Sequence, residues 1–115
     1  MLFDGRTIIE LDNWGVGSVI GLHSPPDGMD IRIHGNVKNH PVFDDGQYVI
    51  TQQIIVVDGK YVEAKGGIVY RLVRIHPLYR RWLKIHRGVW DWQNPITLKY
   101  SHNKIHPPKI FKKKG

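Results

Sequence analysis

The sequence predicts a small β-rich α+β domain: an antiparallel sheet or half-barrel carrying one short helix. Three observations predict it. Residues 48–57 are rich in β-branched side chains and end at Asp58-Gly59, a strong short-range hairpin signal. Lys65-Gly66-Gly67 gives a second turn, with a returning strand from Ile68 onward. Pro77 then opens a stretch in which Leu78, Tyr79, Trp82, Leu83 and His86 recur at helical spacing, while Arg80, Arg81, Lys84 and Arg87 fall largely on the other side.

In chain order, residues 7–11 read as a short strand. Residues 16–20 read as another, weakened by Gly15, Gly17 and Gly21. Pro25-Pro26-Asp27-Gly28 is a turn, because proline presets φ and glycine permits positive φ. Residues 30–34 alternate polar and apolar, the mark of a half-buried strand, and Val37 extends it past Gly35. An antiparallel meander follows over 48–57, 60–65 and 67–74, its first turn expected as type I′. The helix covers about 77–87, and Gly88 offers a left-handed stop. Residues 90–95 are irregular, and 96–100 form a short last strand. From Ser101 onward the chain holds two prolines and five lysines, a composition that favours disorder. The expected organisation is one β-rich domain over 1–100 and a basic tail over 101–115. The open edges of such a sheet leave a homodimer open.

A chain of 115 residues supports one modest core. At that size about two thirds of the unfolded surface is buried, which leaves little room for a deep enclosed active site. Cysteine is absent, so disulfides and thiolate metal sites are excluded, and a reducing compartment fits. The N-terminal residues meet an acid at Asp4 without a long apolar run, unlike a signal peptide. No stretch nears the roughly 18 apolar residues of a membrane span. The expectation is a cytoplasmic protein without a membrane partner.

Charge is sorted along the chain. Residues 1–70 hold five Lys/Arg against nine Asp/Glu, a net of −4, whereas 71–115 hold twelve Lys/Arg against Asp91 alone, a net of +11. The basic part also carries Tyr79, Trp82, Trp90, Trp92 and Tyr100. Cations interleaved with flat rings suit phosphates and bases. Arg71, Arg74, Arg80, Arg81, Lys84 and Arg87 are therefore the candidate phosphate ligands, and no Glu stands at i±4 to pair with the helix cations. Tyr79, Trp90 and Trp92 are the candidate stacking rings. Trp82 reads as core. Of Trp90 and Trp92, one is expected against the sheet and the other exposed, and the sequence does not say which.

Catalytic and metal chemistry find little support. Ser18 and Ser101 sit in no nucleophile elbow, and the glycine-rich stretches lack phosphate-loop spacing. Seven histidines are present, but none forms a helical His-x-x-x-His with a carboxylate; His102 and His106 are followed by Pro107-Pro108. No metal and no cofactor is expected. An enzyme stays open, mainly as a nucleotide hydrolase built on His40 and Asp45, a pair read more simply as loop chemistry.

The central motifs carry a resemblance. Gly35-x-Val37-x-x-His40-Pro41 runs into Asp45-Gly46 and Thr51; Gly67-x-x-Tyr70-x-Leu72, Tyr79-x-x-Trp82-Leu83 and Asn94-Pro95-Ile96 follow, and Asn13-Trp14 precedes. Over residues 13–96 the chain resembles a family of small, functionally uncharacterised phage and prophage proteins. It departs from that pattern at Gln52, where relatives carry Ser, and in the extension after Tyr100. The resemblance implies a phage context, a β-rich fold and no known activity. Its polar positions His40, Asp45, Thr51 and Tyr70, with Arg71, are the candidates for a ligand pocket.

Together these readings give a leading expectation and two rivals. The leading one is a non-catalytic phage-type protein that binds an anionic small molecule, a nucleotide, as a counter-defence sponge in the cytoplasm of an infected cell. The rivals are a DNA- or RNA-binding module using the basic C-terminal third, and an inhibitor of a host defence protein.

Overall fold

The computed structural model describes residues 2–17, 23–88 and 90–98, and within them the chain forms the β-rich α+β fold that the sequence predicts. Its strands are β1 (Ile8–Val16), β2 (Asp27–Gly28), β3 (Ile33–Lys38), β4 (Tyr48–Ile50), β5 (Ile54–Asp58), β6 (Tyr61–Ala64), β7 (Val69–Leu72) and β8 (Thr97–Leu98). One helix, α1 (Pro77–His86), lies between β7 and β8. Six strands make one sheet in the order β4-β3-β1-β7-β6-β5, and β2 and β8 make a second, two-stranded parallel one. Within the large sheet only β1 and β7 run parallel.

Chain connectivity forces this sheet to curl. β4 and β5 occupy opposite edges, yet only Thr51, Gln52 and Gln53 join them. Laid flat, five inter-strand spacings would hold the edges roughly 24 Å apart. Four Cα steps reach about 14 Å at most. The link bends across the start of β3 and is stitched to it. Thr51 N–H donates to the Ile33 carbonyl at 2.8 Å, Ile33 N–H donates to Thr51 Oγ1 at 3.0 Å, and Ile54 N–H donates to the Ile31 carbonyl at 2.8 Å. The sheet remains unclosed, a half-barrel.

That bend divides the long strand expected over 48–57. The meander exists, but its first strand begins at Ile54, and Tyr48–Ile50 pairs with β3 on the far edge. β-Branched propensity favours extended backbone throughout and cannot register that the chain changes edges. The first hairpin turn also differs from type I′. Gly59 takes φ +62°, and it is the only residue of that turn with positive φ, a pattern that suits type II′ with glycine leading.

β1 is longer than expected, because a bulge between Asp12 and Gly15 lets it run on to Val16; Asn13 adopts φ +50° there. Beyond the bulge Trp14 leaves the β7 ladder and continues alongside residues 74–76. Trp14 N–H donates to the Arg74 carbonyl at 2.9 Å, and His76 N–H to the Trp14 carbonyl at 2.8 Å. Ser18, Val19 and Ile20 of the second strand candidate lie outside the described residues, as do Lys99 and Tyr100 of the last strand and the tail over 101–115.

Helix α1 matches its sequence pattern. His76 caps it, its Nδ1 accepting from Leu78 N–H at 3.1 Å, and Pro77 follows. Gly88, at φ +75°, donates to the Leu83 carbonyl at 3.2 Å and ends it. Tyr79 and Leu83 are buried against the sheet, while Leu78, expected on the apolar face, is 59% exposed. Gly15 permits the close docking: a Cβ there would stand 2.7 Å from His34 Cε1 and 3.2 Å from Tyr79 Cβ.

Thr51 ties the bend to β3 with its own hydroxyl, which also donates to the Gln52 carbonyl at 2.8 Å. Replacing it with valine keeps the shape but leaves the Ile33 N–H buried without a partner. Thr51→Val is expected to cost about 1–3 kcal/mol in urea denaturation, and Thr51→Ser much less.

Candidate ligand-binding site

The six candidate cations divide into two groups. Arg71 donates to Glu10 Oε2 at 2.8 Å across the β1–β7 ladder, where the two residues are register partners. Arg74 grips Asp12 with both ends of its fork, Nη2 to Oδ2 at 2.6 Å and Nε to Oδ1 at 3.1 Å. Arg87 pairs with Asp27. These acids lie 61, 62 and 60 residues upstream of their partners. The acidic first part of the chain folds back upon its basic second part, a tertiary pairing that a search at i±4 does not detect. Arg71, Arg74 and Arg87 are therefore each paired with a carboxylate.

Arg80, Arg81 and Lys84 form the second group. All three are exposed on α1, and none has an ion-pair partner among the described residues. Arg80 and Lys84 stand one helical turn apart on the same face. Arg80 Cζ lies 5.5 Å from the Trp92 ring centroid, a cation–π contact. Trp90 and Trp92 meet edge to face, 6.2 Å apart at 73°. Trp90 packs against the core, with its indole N–H buried and unpartnered, whereas Trp92 is 43% exposed. This settles which of the two offers a ring to solvent.

A local turn holds both indoles. Asp91, the single acid of the basic region, accepts from Gln93 N–H at 2.9 Å and Asn94 N–H at 3.3 Å, and its second oxygen accepts from Asn94 Nδ2 at 3.2 Å. Those bonds, led by the one from the Asn94 side chain, hold its carboxyl below the usual range. Parallel pairing of β8 with β2 then fixes the segment's far end and buries Ile96.

Arg80, Leu83, Lys84, Gly88, Trp90 and Trp92 enclose a pocket of about 320 Å³. A second pocket of about 390 Å³ lies beside it, lined by Trp14, Lys60, Leu72, Val73, Arg74, Ile75, Arg80, Trp92 and Pro95. No carboxylate is among the described residues lining either. The sequence reading missed Lys60, Trp14 and Pro95. Trp14 and Pro95 stand in the sequence motifs without any sign of a shared pocket, because a hairpin turn, a bulged strand and an irregular segment come together only in the folded chain.

The other candidate positions do not join this site. Tyr79 is fully buried, and its hydroxyl donates to the Ser24 carbonyl at 2.6 Å, so neither ring face is open for stacking. Burial pushes that hydroxyl far above the ordinary phenol value. Tyr70 is buried in β7 and Thr51 at the bend. His40 and Asp45 sit on the exposed loop between β3 and β4. His40 Nδ1 accepts from Val42 N–H at 3.0 Å and Phe43 N–H at 3.2 Å, while Asp45 Oδ1 accepts from Asn39 N–H at 3.0 Å. None of the four lines either pocket described above.

Among the described residues no group of His, Cys, Asp or Glu is placed to hold a metal ion, and no helix is long and apolar enough to cross a membrane. His102 and His106 lie outside them. No protein-family model, curated protein or solved structure matches the chain.

Arg74, which borders the larger pocket, is held by the Asp12 carboxylate. The Arg74 fork lowers the Asp12 carboxyl below its ordinary value, with backbone donors from Asn13 and Arg74 adding to it. A lowered folded pKa stabilises above the unfolded carboxyl value near 3.9, and the gain is lost as pH falls through the folded value. Asp12→Asn is thus expected to lower the urea midpoint at neutral pH, and the difference from the parent to shrink as pH falls through the lowered folded value of Asp12.

Proposed function

We propose that this protein binds an anionic nucleotide in the pocket between α1 and the Trp90–Trp92 turn, without transforming it. One observation carries the reading. The pocket gathers two cations, Arg80 and Lys84, with two indoles, and no carboxylate lines it among the described residues, whereas Arg71, Arg74 and Arg87 are matched with acids. Arg80 offers a planar fork to a phosphate and Lys84 a point charge, while the Trp92 ring offers a base a stacking surface. The volume of about 320 Å³ falls at the small end of the range for ligand pockets.

The helix dipole works against this arrangement. Lys84 stands in the last turn of α1, where the partial charge is negative. That end attracts Lys84 itself but repels an anion bound beside it, by about 0.3–1 kcal/mol. A hydrogen bond to a charged group contributes about 1.5–3 kcal/mol, so two cations outweigh it. Among the described residues lining the pocket there is neither a carboxylate nor an imidazole to serve as general base, which favours retention of the ligand over hydrolysis. In the phage context implied by the motifs over 13–96, a protein that holds a nucleotide without consuming it would act as a sponge for a host signal. Exposed Arg81 and the lysines over 99–115 support a second reading, in which the same face follows a nucleic-acid backbone.

Calorimetry of the full chain against mononucleotides, dinucleotides and cyclic nucleotides tests the first reading. Saturable binding at one ligand per chain is expected, weakened about tenfold or more by Arg80→Gln and by Trp92→Ala. Arg71→Gln, which removes only an ion pair within the sheet, is expected to leave the affinity unchanged. Absence of heat with every nucleotide would rule the reading out. Binding that appears only with oligonucleotides, grows with their length and falls steeply with salt would favour the second.

A further inference from the structure

Two pockets meet at a single pair of side chains. Arg80 and Trp92 line both the pocket of about 320 Å³ and its neighbour of about 390 Å³. The guanidinium stacked on that indole therefore stands between two hollows and does not close the end of one. The second hollow has the character of a ring site. Buried Trp14 and Leu72 line it together with Ile75 and Pro95, and exposed Lys60 adds a cation. Arg74 also borders it but stays clamped to Asp12, serving as wall more than as ligand.

Each hollow alone is near the lower limit for a ligand pocket and suits one ring system. The cation they share is placed where an anion joining two rings would lie. Resting on the nucleotide reading above, we propose that the ligand is a dinucleotide. One base occupies each hollow, and the phosphate bridge lies at Arg80 with Lys84 beside it. A mononucleotide fills the smaller hollow and leaves the larger one to water. The chemistry required is two heterocycles joined through phosphate, and it is met by a linear phosphodiester, a cyclic dinucleotide or a pyrophosphate-linked pair.

Calorimetry of the full chain decides it, with a mononucleotide, a linear dinucleotide, a cyclic dinucleotide, a pyrophosphate-linked dinucleotide and a longer oligonucleotide as titrants. At least one two-base ligand is expected to bind one per chain and about a hundredfold tighter than the mononucleotide, as joining two weak contacts provides. Lys60→Ala, an exposed position in the second hollow alone, is expected to weaken that ligand about tenfold and to leave the mononucleotide unaffected. Arg80→Gln weakens both. A mononucleotide that binds as tightly as every two-base ligand overturns the dinucleotide assignment while leaving the pocket intact. So does a Lys60→Ala variant that binds the two-base ligand undiminished, or an oligonucleotide that binds more tightly than any dinucleotide. If no nucleotide binds at all, the underlying reading fails, and that result is distinct from these.

Discussion

Pairing of β1 with β7 in parallel is the constraint on which the rest of the molecule depends. It joins two strands separated by the whole middle of the chain and puts them at the centre of the sheet. Register then places Glu10 against Arg71 and brings Asp12 beside Arg74. Past the bulge at Asn13, Trp14 continues the alignment to Ile75 and His76, so the chain reaches Pro77 at a fixed point above the core. Helix α1 starts there, and its position relative to Trp14 and Gly15 follows from where β1 ends. Slipping this register by one residue would turn Ile9 and Leu11, both buried, toward the opposite face.

The same pairing organises the electrostatics. Three arginines meet acids supplied by the first part of the chain, and each such surface pair adds little stability by itself. Their larger effect is on the potential, because they cancel charge along one flank and leave it uncancelled on the exposed side of α1. Among the described residues of the basic part, the cations without an acid partner are thereby confined to Arg80, Arg81 and Lys84 on α1. Asp91, the one acid of the basic part, is engaged by backbone and side-chain donors within its own turn and pairs with none of these cations.

What could be read from the sequence was whatever the chain decides locally. The limits of α1 follow from Pro77 and Gly88, and the two hairpins from Asp58-Gly59 and Lys65-Gly66-Gly67; all depend on neighbours within a few residues. The break at Thr51 did not show, because its cause is a hydrogen bond to Ile33, eighteen residues away. Tyr79 looked like a stacking ring, since helical spacing alone does not separate a buried aromatic from an exposed one on the same flank. Arg80, Lys84 and Trp92 were all marked as candidates. Their convergence was not legible, since it requires the Asp91 turn and the β2–β8 clip to bring the indoles back to the helix. The partners of Arg71, Arg74 and Arg87 were equally invisible, standing some sixty residues away.

The short link through Thr51, Gln52 and Gln53 has a mechanical meaning as well. Sheets ordinarily fray from their outer strands, each edge loosening on its own. Here the two margins are tethered by three residues with almost no slack, so peeling one away pulls on the other. Opening is thereby discouraged as a partial event and made to involve the whole sheet. Such coupling gives a small protein without disulfides a way to keep both borders closed with the same few bonds.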